Sequence, residues 1–209
     1  MADNTIFEGD LTVYGNTDFR GTKTPYLRSE LAQDSNSANA IPLADLRIWD
    51  AFQTSLTTAG TDDLGITAGA FATGVPFVTG GDCKNISATR YARFQVQLPH
   101  EYVGGETVAL RAVAGMFTTV ASGSATVDFE AYKVDVTNGL ITGSDLVSTA
   151  AQSINLTAFA NKDFNLTATT LNPGDWIDVR VTLAVVDVAT ATAVTPAIVA
   201  LSLLADSKG

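Results

Sequence analysis

The run WIDVRVTLAVVD at 176–187 alternates without a break: Ile177, Val179, Val181, Leu183 and Val185 fall on one face, and Asp178, Arg180 and Thr182 on the other. A period of two over that length fits an extended strand with one buried side and not a helix, whose apolar positions recur every three or four residues. A strand with one apolar face needs a second layer to cover it.

Similar segments recur from about residue 63 at intervals of roughly ten residues, the spacing of a sandwich or barrel and not of alternating strands and helices. In RYARFQVQL (90–98) Ala92, Phe94, Val96 and Leu98 face one way, and Arg93, Gln95 and Gln97 the other. TVALRAVAGMF (107–117) aligns Val108, Leu110, Ala112, Ala114 and Met116 against outward Arg111, and ATVDFEAYKVD (125–135) aligns Val127, Phe129 and Ala131. Asn138-Gly139 then supplies a turn before Leu140. Shorter strands are expected at SINL (153–156) and DFNLTATTL (163–171), and AIVALSLL (197–204) ends the series with Val199, Leu201 and Leu203 inward. About eight strands of this kind predict an all-β, jelly-roll β-sandwich over 42–209. No internal repeat points to a propeller or solenoid.

The first 41 residues read differently. Between 5 and 24 the odd positions carry Phe7, Gly9, Leu11, Val13, Gly15, Thr17, Phe19 and Gly21, and the even ones Glu8, Asp10, Thr12, Asn16 and Asp18. This is an extended ribbon with one apolar side, either a hairpin of the main domain turning at Tyr14-Gly15-Asn16 or an arm that buries that side on another subunit. The next stretch, LAQDSNSANA (31–40), reads as a linker of small polar residues, which favours the arm, because an isolated hairpin is only marginally stable. Residues 1–41 are thus expected to form an extended N-terminal β arm and linker, with Phe7, Leu11, Val13 and Phe19 as its interface. In PLADLRIWDAFQTSL (42–56), Leu43, Leu46, Trp49, Phe52 and Leu56 follow helical spacing behind Pro42, and a short helix is expected there, with a strand as the alternative.

Charge narrows the partners. Twenty-two acidic against twelve basic residues give a formal net charge of −10, unsuited to phosphate backbones or anionic membranes, so neither nucleic acid nor membrane is expected as a partner. No apolar run reaches the roughly 20 residues that span a bilayer, and MADNTIFEGD lacks the basic start of a signal peptide. The single Cys83 leaves no internal disulfide framework and fits folding in a reducing cytoplasm.

The residues of chemistry are scattered. The single histidine, His100 in LPHEY, has no nucleophile motif to serve, and one cysteine with one histidine falls short of a zinc site. GGDCKN (80–85) reads as a turn with a half-buried thiol more readily than as a reactive cysteine beside Lys84. The acidic pairs Asp62 with Asp63 and Asp128 with Glu130 would suit glycan hydrolysis, but with only two tryptophans in the chain a solvated strand face is the simpler account. TDD (61–63) and DVTNG (135–139) lack the ligand alternation of a calcium loop. The sequons at Asn85, Asn155 and Asn165 would matter only in a secreted eukaryotic protein. No enzyme activity, cofactor or metal is expected.

The arm GDLTVYGNTDFRG resembles the Gly-punctuated β repeats at the attachment ends of tailed-bacteriophage fibres and other virion proteins. TDDLGITAGAF, ATRYARFQVQLPHEYVGGETVALRAVAGM, DLVSTAAQSINL and LNPGDWIDVRVTLAVVDVATATAV, spanning about 60–205, resemble phage capsid decoration (cement) proteins with a jelly-roll core. This resemblance implies a virion structural protein, made in the host cytoplasm and seated on the capsid exterior. It would be a homo-oligomer, a trimer by preference, that ties major capsid protein subunits together. A head or tail fibre subunit with receptor or glycan binding is the alternative.

Overall fold

The alternation read from the sequence becomes two antiparallel sheets packed face to face. The structure, a computed structural model, describes residues 32–72, 74–189 and 192–208. Its strands in chain order are β1 (Ala32–Ile41), β2 (Gly65–Thr67), β3 (Phe77–Thr79), β4 (Ser87–Gln97), β5 (Val108–Thr118) and β6 (Gly123–Asp135), then β7 (Leu140–Thr142), β8 (Gln152–Ser153), β9 (Ala160–Asn165), β10 (Trp176–Asp187) and β11 (Thr195–Lys208). One sheet runs β2-β3-β11-β5-β9, with β1 also on β11; the other runs β4-β10-β6-β7, with β8 also on β6. This is the jelly-roll β-sandwich expected over the body of the chain.

In the second sheet β10 pairs along its length with β4 on one side and β6 on the other. Val179 lies opposite both Phe94 and Ala131, and Val181 opposite Ala92 and Phe129, so three strands deliver their apolar residues to one side in step. All five apolar β10 residues named from the sequence are at most 1% exposed. From the facing sheet come Leu110, Ala112, Ala114 and Met116 on β5, Leu201 and Leu203 on β11, and Phe164 on β9. Phe129 and Phe164 meet across the layers with ring centroids 4.9 Å apart, an edge-to-face contact. The turn at Asn138-Gly139 joins β6 to β7; Gly139 takes φ +69°, and the Asn138 side chain accepts from the Leu140 amide at 3.1 Å.

Four expectations are corrected. The segment 31–40 is not a linker: from Ala32 it is β1, antiparallel to β11 in a register running from Ala32↔Lys208 to Ile41↔Leu201. Its side chains carry no strand signal, and it pairs because β11 offers an open edge whose backbone groups need partners. The helix expected over 42–56 shrinks to one 3₁₀ turn at Leu43–Asp45. Beyond it the chain folds back on itself: the Ile48 amide donates to the Thr54 carbonyl at 3.0 Å, and Arg47 exchanges backbone hydrogen bonds with Arg93 on β4. The strand expected through 163–171 ends at Asn165 and gives way to a 3₁₀ turn at Ala168–Thr170. Val199 does not point fully inward, because an irregularity between Ile198 and Ala200 shifts the phase of β11 and turns Ile198 into the core instead.

The ribbon at 5–24, with Phe7, Leu11, Val13 and Phe19, lies outside the described residues. Among the described residues no helix is long and apolar enough to cross a membrane.

Because Phe129 spans the layers at 2% exposure, Phe129→Ala leaves a cavity that rigid sheets cannot close. Equilibrium urea unfolding should register a loss of about 3–5 kcal/mol; a loss below about 1 kcal/mol would mean that the two sheets are not held by this contact.

Candidate functional site

The same parity that fills the core writes the outer face of the second sheet. Side by side across β4, β10 and β6 stand the rows Gln95-Asp178-Tyr132, Arg93-Arg180-Glu130 and Tyr91-Thr182-Asp128. Polar residues on a half-buried sheet normally face water, but here the fold-back at 47–55 rests on them. Arg93 stacks over the Phe52 ring with 5.2 Å to its centroid, and Arg180 over Trp49 at 5.7 Å and Tyr91 at 4.8 Å. Trp49 and Tyr91 are themselves in tilted contact, 5.3 Å between centroids. Cation–π attraction therefore ties the loop to the sheet.

Between this loop and β7 lies an open groove of about 290 Å³, lined by Trp49, Asp50, Arg93, Glu130, Tyr132, Ile141, Asp178 and Arg180. Its floor is neutralised internally. Arg93 grips Asp178 with Nε at 2.7 Å and a second, shorter bond from Nη2, and Gln95 adds a contact at 3.4 Å. Arg180 Nη2 lies 2.5 Å from Glu130 Oε2. Asp178 is only 4% exposed, and its partnership raises the Arg93 pKa above the ordinary guanidinium value, chiefly through their hydrogen bond. Two cations thus face three carboxylates, and each guanidinium is already bonded to a carboxylate that a phosphate or sulfate would have to displace. What remains open is an indole and a phenol ring, the half-exposed Ile141, and the free lone pairs of the carboxylates. Trp49 Nε1 and Arg180 Nε are buried without an acceptor within the protein. Rings flanking fixed, planar donors and acceptors suit a flat, neutral, hydroxyl-bearing ligand.

The residues weighed from the sequence fall in different places. Glu130 belongs to the groove. Asp128 stands in the next row, where burial chiefly, then Glu130 and Asp145, hold its carboxyl above the ordinary range, against the Phe129 amide and Arg180. Glu130 does stand on the strand face in contact with solvent, paired with Arg180, whereas Asp128 is drawn in, its Oδ1 accepting from the Phe129 amide at 2.9 Å. Asp62 and Asp63 flank β4 by backbone contacts with Tyr91. His100 is exposed, remote in the fold from those acids, beside Gly174. The Cys83 thiol is 1% exposed, deeper than expected, and burial pushes its pKa up, opposed by Arg90. Among the described residues no group of three His, Cys, Asp or Glu side chains is placed to hold a metal ion.

Sequence reasoning named Asp178, Arg93 and Arg180 as outward residues but missed the groove, because Trp49 and Phe52 reach it from a segment whose spacing imitates a helix. Tyr132 was accessible: it continues the outward parity of Asp128 and Glu130.

No protein-family model matches the chain, and no curated protein is similar to it. Solved structures of similar fold include the CBM22-1 xylan-binding domain of Paenibacillus barcinonensis Xyn10C, at 14% identity and TM-score 0.37, covering 73% of this chain and 86% of that one. The xylan-binding module CBM15 matches at 14% identity and TM-score 0.43, over 83% and 99%. TmCBM61, solved with β-1,4-galactotriose, matches at 9% identity and TM-score 0.38, over 83% and 90%. These neighbours are carbohydrate-binding modules with β-sandwich folds, and no residue correspondence follows from a likeness at this level.

Arg93→Ala would leave Asp178 shielded without its partner, and should cost about 2 kcal/mol in urea unfolding. An unchanged midpoint would show that water replaces the guanidinium freely and that the floor is not a fixed ion-pair lattice.

Proposed function

We propose that this protein is a non-catalytic binding module that holds a neutral glycan across the outer face of the β4-β10-β6-β7 sheet. The observation that carries the reading is the groove itself: a tryptophan and a tyrosine border a floor whose charges are mutually compensated. Sugar rings present an apolar C–H face that stacks on aromatic carbons, and vicinal hydroxyls that pair with carboxylate and guanidinium edges. An anionic ligand would have to break the Arg93–Asp178 and Arg180–Glu130 pairs; a neutral one hydrogen-bonds to them as they stand. In a virion setting, implied by the resemblance to phage fibre and cement proteins, such a module acts as a fibre-type attachment subunit that meets host-surface glycans.

A second reading, that copies of this protein associate as they would in a decoration protein, has a separate feature in its support. Phe77, Phe117 and Phe159 form a surface row on the other sheet, with centroids 4.8 Å and 5.4 Å apart, and Phe117 is 50% exposed. Phenylalanines carry no polar handle, and a charge-free aromatic row has the composition of a protein-interface core. Copies of a chain with net charge −10 repel one another, and a charge-free patch is where they can meet. We propose the row as the homo-oligomer contact of the trimer that the resemblance implies.

Two measurements test these readings. On a glycan array followed by calorimetry, neutral oligosaccharides should bind and sialylated or sulfated ones should not, with affinity insensitive to salt between about 50 and 500 mM. Trp49→Ala and Ile141→Asp should each weaken binding at least about tenfold, or roughly 1.4 kcal/mol. If no neutral glycan is retained, the groove does not have this function. By sedimentation, the wild type should be an oligomer and Phe117→Asp a monomer; a wild-type monomer at micromolar concentration rules out the oligomer contact.

A further inference from the structure

A second polar cleft opens on the flank of the sandwich, between the edge strands β2 and β4 and away from the groove. Its key residue is Arg90. On β4 the even-numbered residues Ala92 and Phe94 point into the core, and Arg90 shares their parity, with Leu183 of the buried row as its register partner. An arginine is thus placed on the apolar side of a strand, where its charge is partly withdrawn from water.

Arg93, Arg111 and Arg180 are each paired with a carboxylate, whereas no carboxylate lies in ion-pair range of Arg90 among the described residues. Its Nε is sealed from solvent without an acceptor, and Nη1 makes only a weak 3.8 Å approach to Cys83 Sγ. The guanidinium borders a cleft of about 340 Å³ whose other walls include Thr57, Thr58, Thr67, Gly81 and the acidic Asp82. Each nearby acid has an oxygen held by backbone amides. Asp82 Oδ1 accepts from the Lys84 and Val194 amides, both at 3.0 Å, and Asp187 Oδ2 accepts from the Asn85 amide at 2.7 Å. Gly81 adopts φ +66°, and a Cβ there would stand 3.2 Å from Arg90 Nη1, so the missing side chain keeps space open beside the cation.

We propose that this cleft binds a small oxyanion, a carboxylate, sulfate or phosphate group, with Arg90 as its charged donor and the threonine hydroxyls as secondary donors. A partly desolvated guanidinium with no carboxylate bonded to it gains from a ligand that supplies two acceptor oxygens to its paired Nη groups. The site is independent of the glycan groove, whose arginines are already paired, and the two would bind ligands of opposite character.

The test uses the full-length protein and amide ¹H–¹⁵N spectra, titrated separately with sodium sulfate, sodium phosphate and sodium glucuronate at constant ionic strength maintained with chloride. Saturable shifts confined to the amides around Thr58, Gly81 and Arg90, at millimolar ligand, are expected for at least one of the three. The most tightly held anion distinguishes a free inorganic ion from an acidic sugar. Arg90→Lys keeps the charge but loses the fork, and should weaken binding at least about fivefold; Thr58→Val should weaken it less. The absence of saturable shifts in the wild type would overturn the proposal whatever the variants do. Equal binding by Arg90→Lys, or shifts spread over the surface, would also overturn it, the latter marking an adventitious ion only.

Discussion

The backbone pairing of β10 with β4 and β6 is the constraint on which the rest of the second sheet depends. Hydrogen bonds on both edges of β10 fix three strands in one register, so a single parity decides for all of them which residues enter the core and which form the outer rows. A slip of one residue would turn Asp178 and Arg180 into the apolar core and expel Val179 and Val181 from it. The apolar cost of that exchange is large, on the order of 1.5–3 kcal/mol for each side chain displaced. The groove therefore inherits its precision from the core: Arg93, Arg180 and Glu130 are neighbours because Ala92, Val181 and Phe129 are.

The outer face departs from an ordinary solvated sheet because one loop was recruited to it. Trp49 and Phe52 do not fill a core of their own; they spread over guanidinium groups whose charges the carboxylates beneath already balance. This arrangement avoids the usual penalty of covering charged residues, since each cation keeps a hydrogen-bonded partner while its flat face is covered by carbon. It also leaves the groove walled by side chains with few rotatable bonds, so little conformational freedom remains to be lost when a ligand enters.

How much of this was legible in the sequence follows from which interactions are local. Alternation in 90–98, 107–117, 125–135 and 176–187 reports burial on one side of a strand, and those strands formed with the predicted residues inside, Val96 alone remaining partly exposed. β1 was illegible because its pairing is backbone to backbone, and the side chains of SANA carry no trace of the edge they meet. The segment 42–56 misled because Leu46 and Leu56 are buried from an irregular path, and three or four residues of spacing in a folded-back loop look like a helical turn. The irregularity at Val199 leaves no mark in an apolar run. The groove assembles side chains from the fold-back, β4, β6, β7 and β10, a combination only the register brings together. Arg90, by contrast, was visible all along as the one charged residue in phase with Ala92 and Phe94.

The pairing of β1 with β11 also sets how the sandwich responds to mechanical load. Ala32 and Lys208 are register partners, so the two strands meet with their outer ends side by side. Tension applied between those two ends would peel the strands apart one hydrogen bond at a time, the weakest direction for a sheet. Tension entering along β1 and resisted at the opposite sheet would instead act in shear, loading the bonds from Ser37 to Ile41 together. The same pair of strands is thus a zipper in one direction and a tether in the other.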